Sequence, residues 1–310
     1  MALERLLVVG GGGFIGRHLC TAAAAAAAGY AVTSLQLRAG SAPPPGARAL
    51  YADISDRAAL AAVLNTEKFE TVVNCGGYID HRPFRSGGRA LIGSHFDGVQ
   101  NLVELLDRDS LRAFVQIGSS DEYGGAPAPQ IETMREAPIS PYSLGKAATA
   151  HFLQMLWHTE QFPALTLRLF LTYGPGQNDA RFLPQIIRGC LDDKAFPVSA
   201  GLQLRDFCYV GDIVRGILRA LQAPDARGEV INLASGLPVT IRSVIEQVQA
   251  QIGCGTPQFG VIPFRAGENP QLYADISKAQ RLLGWQPAVT LAEGLARTID
   301  FYRGETHAAR

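Results

Sequence analysis

Residues Leu6-Leu7-Val8-Val9-Gly10-Gly11-Gly12-Gly13-Phe14-Ile15-Gly16 run from an apolar tetrad through four glycines into a helix-forming stretch. A short apolar run ended by glycine suits a strand buried on both faces. The glycines satisfy both GxGxxG (Gly11, Gly13, Gly16) and GxxGxxG (Gly10, Gly13, Gly16). Such a loop needs glycine because a side chain would hold a pyrophosphate away from the helix N-terminus, whose free N–H groups bind it. Glycine clusters also make plain turns. Set directly between a strand and a helix, this one points to a dinucleotide site formed by Gly10, Gly13, Phe14, Ile15 and Gly16.

Outward from this loop, short apolar runs alternate with helical segments. Leu6–Val9, Ala31–Leu35, Ala49–Ala52, Thr71–Cys75, Ala113–Ile117 and Ala164–Leu169 read as strands. Helices are expected over Phe14–Ala28, Arg57–Leu64, Leu91–Leu106 and Lys146–His158. The seven-alanine run Ala22–Ala28 reads as a close-packed, high-propensity helix, with Gly29 as its cap. The alternation implies βαβ units and a Rossmann-type, doubly wound parallel α/β sheet. After Tyr173-Gly174-Pro175-Gly176 the alternation breaks, and prolines punctuate shorter elements. Residues 1–172, with a return of about 206–236, are therefore expected to form the dinucleotide-binding domain. Residues 173–205 and 237–310 would form a smaller mixed α/β substrate lobe.

Lys plus Arg (28) equals Asp plus Glu (28), so no overall field favours nucleic acid or an anionic membrane. An anionic ligand would have to be held by a few placed arginines. The five cysteines form no CxxC or Cys/His cluster, so neither disulfides nor a metal site is expected, and a reducing cytoplasm fits. No apolar run approaches the ~20 residues of a membrane span.

The strand ends supply further candidates. An acid commonly ends the second strand and grips the ribose 2′-hydroxyl of NAD. Here the stretch is Leu35-Gln36-Leu37-Arg38, and Arg38 could pair with the 2′-phosphate of NADP or be a solvated loop residue. Asp53-Ile54 suits an adenine contact, and Cys75-Gly76-Gly77 brings small residues where backbone must approach the cofactor. Tyr142 and Lys146 stand at i and i+4, on one face of a helix. A lysine cation there is expected to favour the phenolate and bring the tyrosine toward working range. The fifth strand ends in Gly118-Ser119-Ser120-Asp121-Glu122-Tyr123-Gly124, where Ser119 can hydrogen-bond a substrate oxygen. Tyr78, His81 and Arg82 follow the fourth strand and could line a pocket, though a loop histidine is more often a surface residue.

These segments resemble the extended short-chain dehydrogenase/reductases, the group of nucleotide-sugar epimerases, dehydratases and reductases. The likeness continues through Leu167-Arg168-Leu169-Phe170, Gln203–Val210, Tyr273–Lys278 and Leu282–Trp285. It implies a catalytic set of Ser119, Tyr142 and Lys146, with Lys146 also holding the nicotinamide ribose. It implies a nucleoside-diphosphate sugar substrate, with Arg205 and Arg265 near its phosphates unless they serve as salt bridges, and Arg181 and Phe182 closing over the base. It also implies a homodimer paired through the helices Leu91–Leu106 and Lys146–His158. Three departures stand out: Leu171 replaces a usual asparagine, His95 replaces another, and Ser120-Asp121 stands where glucose-type dehydratases carry Asp-Glu. Ser120 is a poor acid for dehydration, although Asp121, or Glu122 in a slipped register, could be a base.

Ser199–Tyr209 and the Gln258–Tyr273 segment are similar to reductases of 4-keto-6-deoxyhexose nucleotides, such as the CDP-abequose, CDP-paratose and dTDP-fucose synthases. The expected activity is thus NAD(P)H-dependent reduction of a C4 ketone, with NADP favoured over NAD. The alternatives are an NAD-dependent 4-epimerase, then a 4,6-dehydratase or a non-catalytic NADP sensor.

Overall fold

In the computed structural model, which describes residues 3–25, 29–264 and 268–308, the apolar tetrad lies in β1 (Glu4–Val9) and the glycines lead into α1 (Phe14–Ala23). The chain continues through β2 (Tyr30–Gln36), β3 (Arg48–Tyr51), α2 (Arg57–Leu64), β4 (Thr71–Asn74), α3 (Gly88–Ile92), α4 (Gly98–Leu105), β5 (Ala113–Ser119), α5 (Pro141–Glu160) and β6 (Ala164–Leu169). Next come β7 (Leu171–Tyr173), α6 (Phe182–Leu191), β8 (Ala195–Val198), β9 (Leu204–Tyr209), α7 (Val210–Leu221) and β10 (Val230–Leu233). The last elements are β11 (Pro238–Thr240), α8 (Ile241–Ile252), β12 (Thr256–Phe259), β13 (Gln271–Leu272), α9 (Ser277–Leu283) and α10 (Leu291–Ala308).

Seven strands form one parallel sheet in the order β10-β6-β5-β4-β1-β2-β3. Successive residues of β1 serve opposite faces, as the two-residue period of a strand requires. Leu6 and Val8 pack with Leu19 of α1 and Ile213 of α7, whereas Leu7 and Val9 pack with Leu60 of α2, Leu102 of α4 and Leu153 of α5. The sheet is therefore doubly wound. Its order reverses between β1 and β4, and the crevice outside those strand ends is where ligands bind in such sheets.

A second sheet gathers β7, β11 and β13 around β9, and β8 pairs with β12. Its own core joins Tyr173, Leu183 of α6, Val244 of α8 and Leu295 of α10. The chain goes back to the large sheet through α7 and β10, while β9 stays in the small one.

Three elements differ from expectation. Helix α1 stops at Ala23, with Ala24 capping onto the Cys20 carbonyl, so Gly29 does not cap it; Ala26–Ala28 lie outside the described residues. Alanine propensity sets no stop of its own, and the helix persists only while it packs: Ala23 is buried and Ala25 exposed. The helix expected over 91–106 runs from Gly88 to Leu105 through a π turn at Gly93–Asp97. Helix α5 begins at Pro141, ahead of Lys146, because Ser140 caps it and proline suits the first position.

A Cβ added at Gly16 would lie 2.3 Å from the Gly10 carbonyl oxygen. Gly16→Ala should cost about 1–3 kcal/mol through overpacking, read as a lower urea midpoint at unchanged slope. An unaltered midpoint would mean that this loop is not packed as described.

Candidate active site

The glycine loop is shaped by its own neighbours. Gly10 has φ +73°, its N–H donates to Leu35 O at 2.8 Å, and a Cβ there would stand 2.9 Å from Cys75 O. Gly11 lies over the Ser34 hydroxyl, and Gly12 over the Gln36 amide. A Cβ at Gly13 would meet only the Gly10 carbonyl oxygen, at 3.2 Å. Gly13 caps α1 without a side-chain hydrogen bond, and the first turn holds no acid, which leaves the leading N–H groups of the helix for an anion. Gln36 is buried at the end of β2, and its Nε2 has no hydrogen-bond partner. These features fit a nicotinamide dinucleotide: an uncapped N-terminus for the pyrophosphate and an orphaned amide beside it.

The other strand-end residues divide. Arg38 is exposed beyond β2. The Asp53 carboxylate accepts from Ser55 N and Oγ, while Ile54 is buried against Gly98 and its carbonyl accepts from Asn101. Gly76 N–H donates to Asn74 Oδ1, and Gly77, at φ +100°, lies against the His95 ring.

The catalytic candidates come together where α5 meets β5. Ser140 and Ser143 cap each other's backbone, which fixes the first turn of α5 with Tyr142 in it. One turn on, Lys146 Nζ donates to Ile117 O at 2.7 Å and lies 6.0 Å from the centroid of the Tyr142 ring. Gly145 permits this docking, since its Cβ position is 3.1 Å from His95 Cβ. Ser119, at the end of β5, and Tyr142, in the first turn of α5, are both buried at this junction. Ser119 N–H donates to Glu122 Oε1 at 2.7 Å, and its Oγ accepts from Asp121 N–H at 3.2 Å.

The sequence profile of the NAD dependent epimerase/dehydratase family matches residues 6–234. The chain belongs to that family. It is 28% identical over 252 residues to the UDP-glucuronate 4-epimerase of Thermodesulfobacterium geofontis, covering 80% of this chain and 77% of that one. It is 30% identical over 275 residues to a dTDP-glucose 4,6-dehydratase of Xanthomonas campestris pv. campestris, covering 81% and 77%. Among solved structures, the UDP-glucuronic acid 4-epimerase of Bacillus cereus, in complex with UDP-glucuronic acid and NAD, superposes with a TM-score of 0.84 at 27% identity, over 97% of this chain and all (100%) of that one. This epimerase/dehydratase family member is thus an enzyme of Rossmann architecture.

Burial governs its electrostatics. The Lys146 amine is pulled down to about 8 by desolvation, against the opposing pull of the Glu122 charge. Burial pushes the Tyr142 phenol above its ordinary value; the nearby Ser119 hydroxyl opposes this, and the Asp121 and Glu122 charges reinforce it. This differs from the expectation of a phenol brought toward neutrality, because burial of the phenolate is the largest influence on it.

Two imidazoles stand edge-on to Tyr142. The His95 ring, 5.0 Å away, is 3% exposed, bonds Tyr78 O at 2.9 Å through Nε2, and is pulled down to about 3 by burial. The His81 ring is 5.9 Å away, with Nε2 3.7 Å from Asp121 Oδ2. Burial raises Asp121, while His81, Arg181 and Arg205 oppose it. Arg205 is buried and ion-paired with Glu268. Ser120 is buried, and Tyr78 is half exposed. Arg181 precedes α6, Phe182 packs on Phe207, and Leu171 pairs with Phe207 along β7, so the latter two serve the small lobe's core. Arg265 lies outside the described residues.

Sequence reasoning missed the fully buried ion pair behind Ser119. Arg168 Nε donates to Glu122 Oε2 at 2.7 Å, its fork also pairs with Glu136, and its guanidinium lies 4.6 Å from the Tyr123 ring centroid. The available signal was an arginine flanked by Leu167 and Leu169 in a buried strand, which requires a buried acid.

Lysine-labelled NMR should find one side chain, Lys146, titrating near pH 8, and Glu122→Gln should lower that midpoint further because it removes the opposing charge. A spectrum in which every lysine keeps the reference value of about 10.4 would contradict this electrostatic picture.

Proposed function

We propose that this protein reduces the C4 ketone of a nucleoside-diphosphate 4-keto-6-deoxyhexose, with Tyr142 as the general acid. The observation that carries the reading is the buried Tyr142 phenol, kept in its neutral form by burial where α5 packs on the end of β5 that bears Ser119. A reduced nicotinamide, held by Gly10–Gly16, Gln36, Gly76–Gly77 and Lys146, would supply the hydride. Tyr142 gives its proton to the oxygen on which negative charge develops, and Ser119 donates a second hydrogen bond to it. Lys146 stabilises the phenolate left behind. Arg181 and Arg205, whose charges both act on Asp121, suit the substrate's diphosphate, since an arginine fork meets phosphate oxygens in two places; Arg205 would exchange its Glu268 partner to do so. Leu144 and Met155, exposed along α5, support pairing of two copies through that helix.

The likeness to two UDP-glucuronate 4-epimerases favours a second reading, reversible oxidation at C4 with retention of the cofactor. The lean toward NADP, resting on Arg38, gains no support: the Bacillus cereus enzyme holds NAD, and Gln36 offers a neutral amide to either form. Dehydration is disfavoured by Ser120, which cannot protonate a leaving hydroxyl efficiently.

Purified protein should consume NADH or NADPH stoichiometrically with a nucleotide 4-keto-6-deoxysugar, followed by loss of absorbance. Tyr142→Phe should lower kcat by about 10²–10⁴ and Ser119→Ala by about 10²–10³. Interconversion of C4 epimers without net cofactor change would select the epimerase reading, and full turnover by Tyr142→Phe would remove both.

A further inference from the structure

One buried side chain beside Tyr142 takes no step in the reduction above: His95, in the π turn Gly93–Asp97. Four neighbours fix it. Its Nε2 lies 2.9 Å from the Tyr78 carbonyl oxygen. A carbonyl oxygen only accepts, so Nε2 carries the hydrogen and Nδ1 is left as an acceptor. Gly77 lies over the ring, since a Cβ there would stand 2.2 Å from its Cε1. Gly145 of α5 lies behind it, with a Cβ position 3.1 Å from His95 Cβ. The Thr149 hydroxyl, 2.7 Å from the His95 carbonyl oxygen, pins the turn to α5. The ring held in this casing meets Tyr142 edge-on, with centroids 5.0 Å apart and planes at 81°. Burial pulls the imidazole down to about 3, so at neutral pH it has no proton to give as an imidazolium.

We infer that His95 is a positioning residue whose ring fixes the orientation of Tyr142, an inference that rests on Tyr142 being the general acid. Edge-on aromatic pairs have a preferred geometry, because ring rims are positive and ring faces negative. Held in one place and one tautomer, the His95 ring limits how the phenol can turn, and so presents its oxygen at one point. Such placement matters, since a shift of about 1 Å can cost about 10²-fold in rate. The asparagine that His95 replaces has no ring and would supply a hydrogen bond alone. Gly77 and Gly145 belong to the same arrangement: a side chain at either would push the imidazole or the helix out of place. His81 also meets Tyr142 edge-on, at 5.9 Å, but its side chain is 46% exposed, so water competes for it. His95 itself moves no proton.

Three substitutions separate the ring from its hydrogen bond. His95→Phe keeps a ring and loses the N–H donor, His95→Gln keeps a donor for Tyr78 O and loses the ring, and His95→Ala loses both. With a nucleotide 4-keto-6-deoxysugar and NAD(P)H, His95→Ala and His95→Gln should lower kcat at least tenfold and leave KM within twofold. Their solvent deuterium isotope effect on kcat should rise, because a displaced phenol makes proton transfer the slow step. His95→Phe should keep kcat within threefold, with the wild-type isotope effect. Wild-type kcat in His95→Gln with loss in His95→Phe would assign the role to the Tyr78 bond and overturn the inference. Equal loss in all three, or loss in none, would overturn it too, as would lower kcat at an unchanged isotope effect. Independently of turnover, nitrogen NMR should show the His95 ring protonated at Nε2 alone, with no titration between about pH 5 and 8; a ring that titrates there would contradict the casing. If the wild type instead interconverts C4 epimers, the reductive reading alone fails, and the same three variants are compared in that assay, where Tyr142 handles the same proton.

Discussion

The hydrogen bond from Lys146 Nζ to the Ile117 carbonyl is the constraint on which the site depends. It joins the first turns of α5 to the end of β5, and so brings a helix-borne phenol to a strand-borne hydroxyl. Everything around it serves that docking. The Ser140–Ser143 cap starts the helix at the right residue, Gly145 lets it approach the π turn that carries His95, and Glu122 ties down the Ser119 backbone. Burial of the junction excludes water, which is why the amine falls and the phenol rises from their ordinary values.

That dry environment costs the fold something. Glu122 and Arg168 are fully buried charges immediately behind the catalytic serine. Replacing such a pair by apolar residues is often neutral or stabilising, whereas removing one partner costs about 3–5 kcal/mol. Its presence here is best understood through position. One carboxylate oxygen holds Ser119 N–H, the other holds Arg168, and the same charge opposes the desolvation of Lys146. One buried acid thus orders the hydroxyl and keeps the amine from falling further.

The large sheet was legible in the sequence because its strands are short apolar runs with one glycine signal of unambiguous placement, and the pairing of Tyr142 with Lys146 followed from helical spacing. Helix ends were less legible: seven alanines carry no stop signal, and the π turn at Gly93–Asp97 has no period to betray it. The direction of the Tyr142 shift was unreadable, since it depends on how much water the fold excludes and not on which cation lies one turn away. Nor could spacing reveal that His81, 40 residues before Asp121 in the chain, would lie beside it, because a loop after β4 and a turn after β5 meet only once those strands are neighbours in the sheet.

The central claim is that hydride is delivered at the sugar carbon whose oxygen meets Tyr142 and Ser119. Its most direct test is isotopic: turnover with nicotinamide dinucleotide deuterated at the transferring position, and NMR of the sugar product. The account predicts one deuterium, at C4, on a single face. Deuterium at another carbon, or none in a product that has nonetheless formed, would contradict it.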